Sequence, residues 1–385
     1  MNICTGVYAD ATGAIAAAAA IQSCLNLTVS GSTFRLPVGT YLVDNQITLN
    51  RPVTFGTIPP VFSPSGNCEN IPCATLLAAP TLHAPPPGGW PAPRAVLQVS
   101  SPNVKIDFLA IDGDRNSRLF SWAGSQCSVF NNSFGFNVLV LADNVSFTRN
   151  LSTRALCATA LGWYGSSAIV TDSSFIANGN HYTRGVWADG ITIGSDNAQI
   201  LRNRILDSSD VGMVLMYGKN SLIKDNLIEQ NTQPIFGGLV VFRQLGPGGV
   251  PLSDGDYTGT VVTQNTLECQ KNCFVGLHVG ARPWQSGESS RVFGVTVHGN
   301  TVHDSAFGVS ASIAGTITSP VHIYNNTATG AFSIAFVNLC ANTSPNGGSN
   351  YNIAPTGDTL GNPIDSVIDH HGDTTVYTQL PMCNP

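Results

Sequence analysis

Along the middle of this chain, apolar residues at two alternate positions lead to a polar residue and then to a further apolar one. Val145 and Phe147 lead to Asn150, Ile200 to Asn203, Val295 and Val297 to Asn300, and Val321 and Ile323 to Asn326. Looser copies centre on Asn226 and Asn265, and Ser173 takes the asparagine place in another. Successive centres lie from 23 residues apart (150 to 173) to 39 apart (226 to 265). That is the length of one supersecondary unit, which cannot bury its apolar side alone, so the units must stack as coils with the variation placed in loops. Asparagines at the same turn of consecutive coils are expected to point inward and hydrogen-bond along the stack.

A second strand in each coil opens with glycine: Gly190-Ile191-Thr192-Ile193, Gly212-Met213-Val214-Leu215, Gly238-Leu239-Val240-Val241, Gly276-Leu277-His278-Val279 and Gly308-Val309-Ser310-Ala311. With a period of two, Ile191, Met213, Leu239, Leu277 and Val309 share the core face, while Thr192, Val214, Val240, His278 and Ser310 share the outer one. Strands of consecutive coils lie about 4.8 Å apart, so equivalent positions become neighbours despite their distance in sequence.

Towards the N-terminus, Asp10-Ala11-Thr12 before Ala14 to Ile21 reads as a capped helix, and Thr33 to Tyr41 and Gln46 to Leu49 as short strands. An Ala-Ile-Gln helix followed by Leu36-Pro37-Val38-Gly39-Thr40-Tyr41 resembles the N-terminal cap of pectate-lyase-like β-helix proteins. The expected fold is therefore all-β: a single-domain right-handed parallel β-helix (solenoid) with a short N-terminal capping helix. Its expected parts are residues 1–55 as cap and first coils, 56–99 as a Pro/Gly-rich excursion, 100–342 as the coils and 343–385 as a C-terminal cap or tail. The composition agrees, with 10% charged and 43% hydrophobic residues, 39 Gly and 23 Pro, which suits many short buried strands and turns.

Ten cysteines without a repeating metal or redox spacing read as disulfides formed outside the cytosol. Proximity in sequence suggests Cys4 with Cys24, Cys68 with Cys73, Cys127 with Cys157, Cys269 with Cys273 and Cys340 with Cys383. The start, Met1-Asn2-Ile3-Cys4, lacks a charged, apolar leader, so a secretion signal is expected to have been removed. A net charge of −6 offers no basic stripe for phosphates, which argues against nucleic acid and anionic membrane as partners. A polysaccharide fits better.

Asp189 and Asp210 stand just before two consecutive Gly-opened strands, 21 residues apart (189 to 210). A carboxylate pair can divide the roles of acid and base, as glycoside hydrolysis requires; an Asp-Gly turn and a local cap are the plain alternative. Ala188-Asp189-Gly190-Ile191 and then Ser209-Asp210 resemble the polygalacturonase pattern Asn-Thr-Asp-Gly followed one coil later by Asp-Asp. By that resemblance Asp189 and Asp210 are catalytic. Val211 stands where the family has its second acid, Phe236-Gly237-Gly238 replaces Gly-His-Gly, and His278-Val279-Gly280 replaces Arg-Ile-Lys.

Around the same strands lie Tyr182, Arg184, Trp187, Tyr217, Lys219, Arg243, His278, Arg282 and Trp284, candidates for stacking on sugar rings or binding acidic groups. A lyase or uronate epimerase using Arg243, Arg282, His278 and Tyr217 is the second reading, and a non-catalytic glycan- or protein-binding β-helix the third. Asp112-Gly113-Asp114-Arg115 and Asp254-Gly255-Asp256 carry oxygens of the kind that ligate calcium, but Asp-Gly turns account for them without metal, and no cofactor is expected. His370-His371-Gly372-Asp373 reads as tail surface.

Overall fold

Each coil contributes one short strand to each of three parallel sheets. The structure, a computed structural model, describes residues 2–58, 66–82, 95–117, 135–156, 158–179, 188–243, 253–282, 291–312, 314, 319, 321–331, 334–338, 351–353 and 359–360. Two compact units divide the chain: Met1–Thr192 with Arg202–Ser209, and Ile193–Leu201 with Asp210–Pro385.

In the first unit one sheet runs Thr33–Leu36, Thr54–Thr57, Lys105–Asp107, Ser146–Thr148 and Ile169–Thr171. A second runs from Thr12–Ala16 through Gly39–Val43, Ala74–Ala78, Leu109–Asp112, Leu151–Thr153 and Ser174–Ile176 to Arg204–Leu206. The third holds Ile47–Leu49, Ala95–Val99, Phe136–Val140 and Ala158–Trp163. The second unit repeats the plan. Its first sheet includes Gln199–Leu201, Leu222–Lys224, Val261–Thr263, Thr296–His298, Val321–Tyr324 and Tyr351–Ile353. Its second begins at Leu227–Glu229 and ends at Thr359–Leu360. Its third comprises Val211–Tyr217, Ile235–Val241, Cys273–Gly280, Phe307–Ser312 and Ile334–Asn338.

Residues in register form columns through the interior. In the second unit Ile200, Ile223, Val262, Val297 and Ile323 pair in turn, each buried. In the first, Phe34 stacks on Phe55 at 5.7 Å and Phe147 on Phe175 at 5.9 Å. Burying each such side chain contributes about 1.5–3 kcal/mol, so the stack is held by many equal, nearest-neighbour increments.

The corner between the first and second sheets is where the asparagines sit. One residue there takes the left-handed conformation, as Arg149, Asp172, Asp225, Gln264 and Asn325 do, and the next turns its side chain into the stack. In the second unit the backbone amide and Nδ2 of Asn226 both donate to Asn265 Oδ1, at 3.1 and 2.8 Å. Asn265 repeats this to Asn300 and Asn300 to Asn326. Each Nδ2 also donates to a carbonyl one coil back. In the first unit Leu109 N donates to Asn150 Oδ1, Asn150 N to Ser173 Oγ and Ser173 N to Asn203 Oδ1. The serine thus keeps one rung of the expected ladder with a shorter side chain.

Several expectations shift. The helix is Ala18–Leu27, with Ala17 as an N-cap that lacks a side-chain bond. Asp10 instead binds the amides of Thr12, Ala14 and Ile15 in a turn, and Thr12–Ala16 pairs with Thr40 and Leu42 as a strand. Strand pairing overrides the helix preference of the alanine run. The 56–99 segment is not wholly an excursion, since Ala74–Ala78 and Ala95–Val99 are coil strands. Three of the suggested disulfides are formed, Cys4–Cys24, Cys68–Cys73 and Cys269–Cys273. The other two include residues outside the described ones, as do His370 and His371. No helix among the described residues is long and apolar enough to cross a membrane.

Candidate active site

The third sheet of the second unit is built on a glycine column. A Cβ at Gly212 would lie 2.6 Å from Gly238 O, and one at Gly238 2.7 Å from Gly276 O, so the coils approach as closely as they do only without side chains there. Beyond the glycines, Met213, Leu239, Leu277 and Val309 point into the core in register, and Val214, Val240, His278 and Ser310 form the neighbouring column.

That outer column is not open to water. Val214, Val240, His278 and Ser310 are all buried, at 5% exposure or less. Val214, Met216, Val240, Phe242 and Phe274 belong to one apolar cluster, with Tyr217, Phe236 and Phe307 packed against it. Phe274 and Phe307 meet edge to face at 5.0 Å. At the far end of the strands Tyr257, itself fully buried, places its hydroxyl 2.8 Å from the carbonyl oxygens of Leu215 and Phe242, bolting its loop over the sheet.

Asp210 opens the strand Val211–Tyr217 beside this cluster, half-buried, with its carbonyl accepting from Phe236 N at 2.9 Å. Burial pushes its carboxyl up to about 6, against the opposing pull of the Arg282 charge. Arg282 lies with its guanidinium 4.3 Å from the centre of the Phe242 ring, a cation–π contact that holds a cation over an aromatic floor. Tyr217 lies flat against Gly194, where a Cβ would come 2.1 Å from the ring. Asp210 thus opens the strand beside Val211 of the cluster and feels the charge of Arg282, while Tyr217 closes the same strand at its other end. A carboxylic acid raised in this way keeps its proton up to about pH 6, the property a general acid needs.

The remaining candidates are placed differently. Asp189, in the first unit, is half-buried and accepts a hydrogen bond from Thr192 Oγ1. His278 does not face a ligand: Nδ1 meets Ser310 Oγ at 2.7 Å, and Nε2 meets Ala281 O at 2.7 Å and Ser312 Oγ at 3.1 Å. Burial depresses its pKa to about 4, so it stays neutral. Arg243 donates from Nε to Ser253 O at 2.7 Å. Lys219 is paired with Asp256 at 2.9 Å and Asp254 at 3.4 Å, and the bond to Asp256 raises its pKa. Both Asp-Gly-Asp segments are ion-paired turns: Lys219 engages Asp254 and Asp256, Arg154 engages Asp112 and Asp114, and Gly255 turns at φ +81°. Arg184, Trp187, Trp284 and Tyr182 lie outside the described residues.

Residues 117–328, more than half of the 385, match the model of the right-handed β-helix region. The chain belongs to the right-handed β-helix family. Comparison with curated protein sequences gives no match. Among solved structures this β-helix is similar to a hyperthermoactive exopolygalacturonase from Thermotoga maritima, with 15% identity and a TM-score of 0.57 over 85% of this chain and 86% of that one. It is similar to the Dettilon tailspike protein, at 14% and 0.52 over 91% and 66%. A third likeness is to the tailspike of E. coli bacteriophage HK620 in complex with a pentasaccharide, at 10% and 0.50 over 93% and 65%. The chain spans slightly less than two thirds of each tailspike, and at these identities the likeness is one of fold.

Sequence reasoning missed the aromatic cover of the β-helix. Phe236 and Phe274 each stand two residues before a column glycine, Gly238 and Gly276, a repeat that could have marked them. Tyr257 carries no such signal, since it sits in a loop between coils.

Proposed function

We propose that this β-helix is a polysaccharide-cleaving glycoside hydrolase working outside the cytosol, with Asp210 as its proton donor. The observation that carries the reading is the position of Asp210, half-buried at the head of the strand whose Val211 joins the apolar cluster, where burial raises its carboxyl to about 6 against the charge of Arg282. In that role the Asp210 proton passes to the glycosidic oxygen as the bond to the anomeric carbon breaks. Water adds to that carbon and gives its proton to a second carboxylate. Tyr217, partly exposed at the end of its strand, offers an aromatic ring for sugar stacking, and Arg282 a cation for a polar substituent.

The exopolygalacturonase and the tailspike bound to a pentasaccharide support the carbohydrate class. The three disulfides support an oxidising compartment. The lyase or epimerase reading loses one of its candidate bases, because His278 is buried and hydrogen-bonded through both ring nitrogens. Activity is expected to fall as pH rises through about 6, following deprotonation of Asp210. Asp210→Asn should lower kcat on the order of 10²–10⁴-fold, with Asp189→Asn measured beside it. Full activity in Asp210→Asn would refute the assignment.

A further inference from the structure

The second sheet of the first unit presents a different surface. Thr75, Ala110 and Leu151 are in register across three coils, and so are Leu77, Asp112 and Thr153. Over these columns opens a cavity of about 480 Å³, within the ~300–1,000 Å³ usual for small-molecule sites. Its wall is the segment 68–73, closed by the Cys68–Cys73 disulfide with 5.6 Å between Cα atoms.

The wall is tied to distant coils. Asn67 Nδ2 donates to Asp172 O at 3.1 Å and to Ser174 Oγ at 2.9 Å, and that hydroxyl donates to Glu69 Oε2 at 2.6 Å. Arg204 pairs with Glu69, and Cys68 N donates to Arg149 O. A wall fixed in this way has little ordering entropy left to lose when a ligand enters.

We propose that this cavity is a second, non-catalytic site for a short neutral saccharide. Polar groups alternate there with aliphatic ones. The Asn70 amide and the Thr75 hydroxyl make no side-chain hydrogen bond among the described residues. Asp112 is held by Arg154 Nε at 2.9 Å, and Thr153 donates its hydroxyl to Ile176 O, which leaves lone pairs to accept from a ligand. Ile71, Ala110 and Leu151 supply the apolar surface. Hydroxyl donors and acceptors beside aliphatic groups match a pyranose, whose rim is polar and whose faces are C–H. Glu69 and Asp112 are already paired with Arg204 and Arg154, and among the described residues no lysine or arginine lines the cavity to receive a further carboxylate, so the sugar is neutral and a uronate is disfavoured.

The test is calorimetric titration of the full chain carrying Asp210→Asn, so that no substrate turns over, with cellotetraose, mannotetraose, xylotetraose and maltotetraose, and with tetragalacturonate in parallel. At least one neutral tetrasaccharide is expected to bind with a Kd below about 1 mM. Thr75→Leu and Asn70→Ala, which break no side-chain hydrogen bond among the described residues, should each weaken that binding about tenfold. No binding of any neutral tetrasaccharide, or binding unaffected by both variants, overturns the proposal, as does tetragalacturonate binding that is lost in both. Because the titration does not depend on catalysis, its failure is separate from failure of the hydrolase reading.

Discussion

Two titratable groups, one half-buried and one buried, set opposite pH dependences. Asp210 is raised from 3.8 to about 6 in the fold, so the folded state holds the extra proton between those values, and stability falls as pH rises across that window. A displacement of that size is worth about 3 kcal/mol, so at pH above the window Asp210→Asn should be more stable than the parent by up to that amount, while losing activity. Urea denaturation of both proteins checks this; a destabilised variant would contradict it. His278 is lowered from 6.5 to about 4. There the unfolded chain takes the proton first, so stability falls as pH drops from 6.5 to about 4, by about 3 kcal/mol. In an Asp210→Asn background, where the opposing slope is gone, His278→Gln should flatten that part of the profile. An unchanged slope would mean that His278 is not the group responsible.

At the scale of strands and turns, the asparagine ladder has the clearest consequence. Asn265 accepts two bonds from Asn226 through one oxygen and donates to Asn300, Ile223 and Thr263. Asn265→Ala leaves buried donors without acceptors and should cost about 3 kcal/mol. Asn265→Ser should cost less, since Ser173 already accepts from the amide of Asn150 in the same way. Thermal unfolding of the two variants distinguishes a bonded ladder from mere packing, which predicts similar losses. This element was legible in the sequence because its period and its residue type repeat together. The glycine column was legible for the same reason. The N-terminal helix was misplaced, because the local preference of Ala14 to Ala16 for a helix is outweighed by pairing with Thr40 and Leu42, a contact that local sequence does not carry.

For the molecule as a whole, the repeat made the stacked parallel coils readable, proximity in sequence suggested the three disulfides formed among the described residues, and the Gly-opened strands singled out Asp189 and Asp210 as candidates. None of these revealed the environment that makes Asp210 chemically distinct. Period-two reasoning left Val214, Val240 and His278 on an outer face, whereas the structure buries all three, the valines in a cluster with Phe242 and Phe274 and the histidine against Ser310 and Ser312. Loops between coils have no period, so a residue such as Tyr257, which pins its loop over the strand ends, gives no sign in the pattern. We propose hydrolysis of polysaccharide by this β-helix through Asp210. Its most direct test is a screen of the purified protein on neutral and uronic-acid polysaccharides, following reducing ends and ultraviolet absorbance together, with Asp210→Asn alongside. The account predicts reducing ends without an ultraviolet-absorbing product, lost in the variant; an unsaturated, absorbing product, or silence across the whole panel, would contradict it.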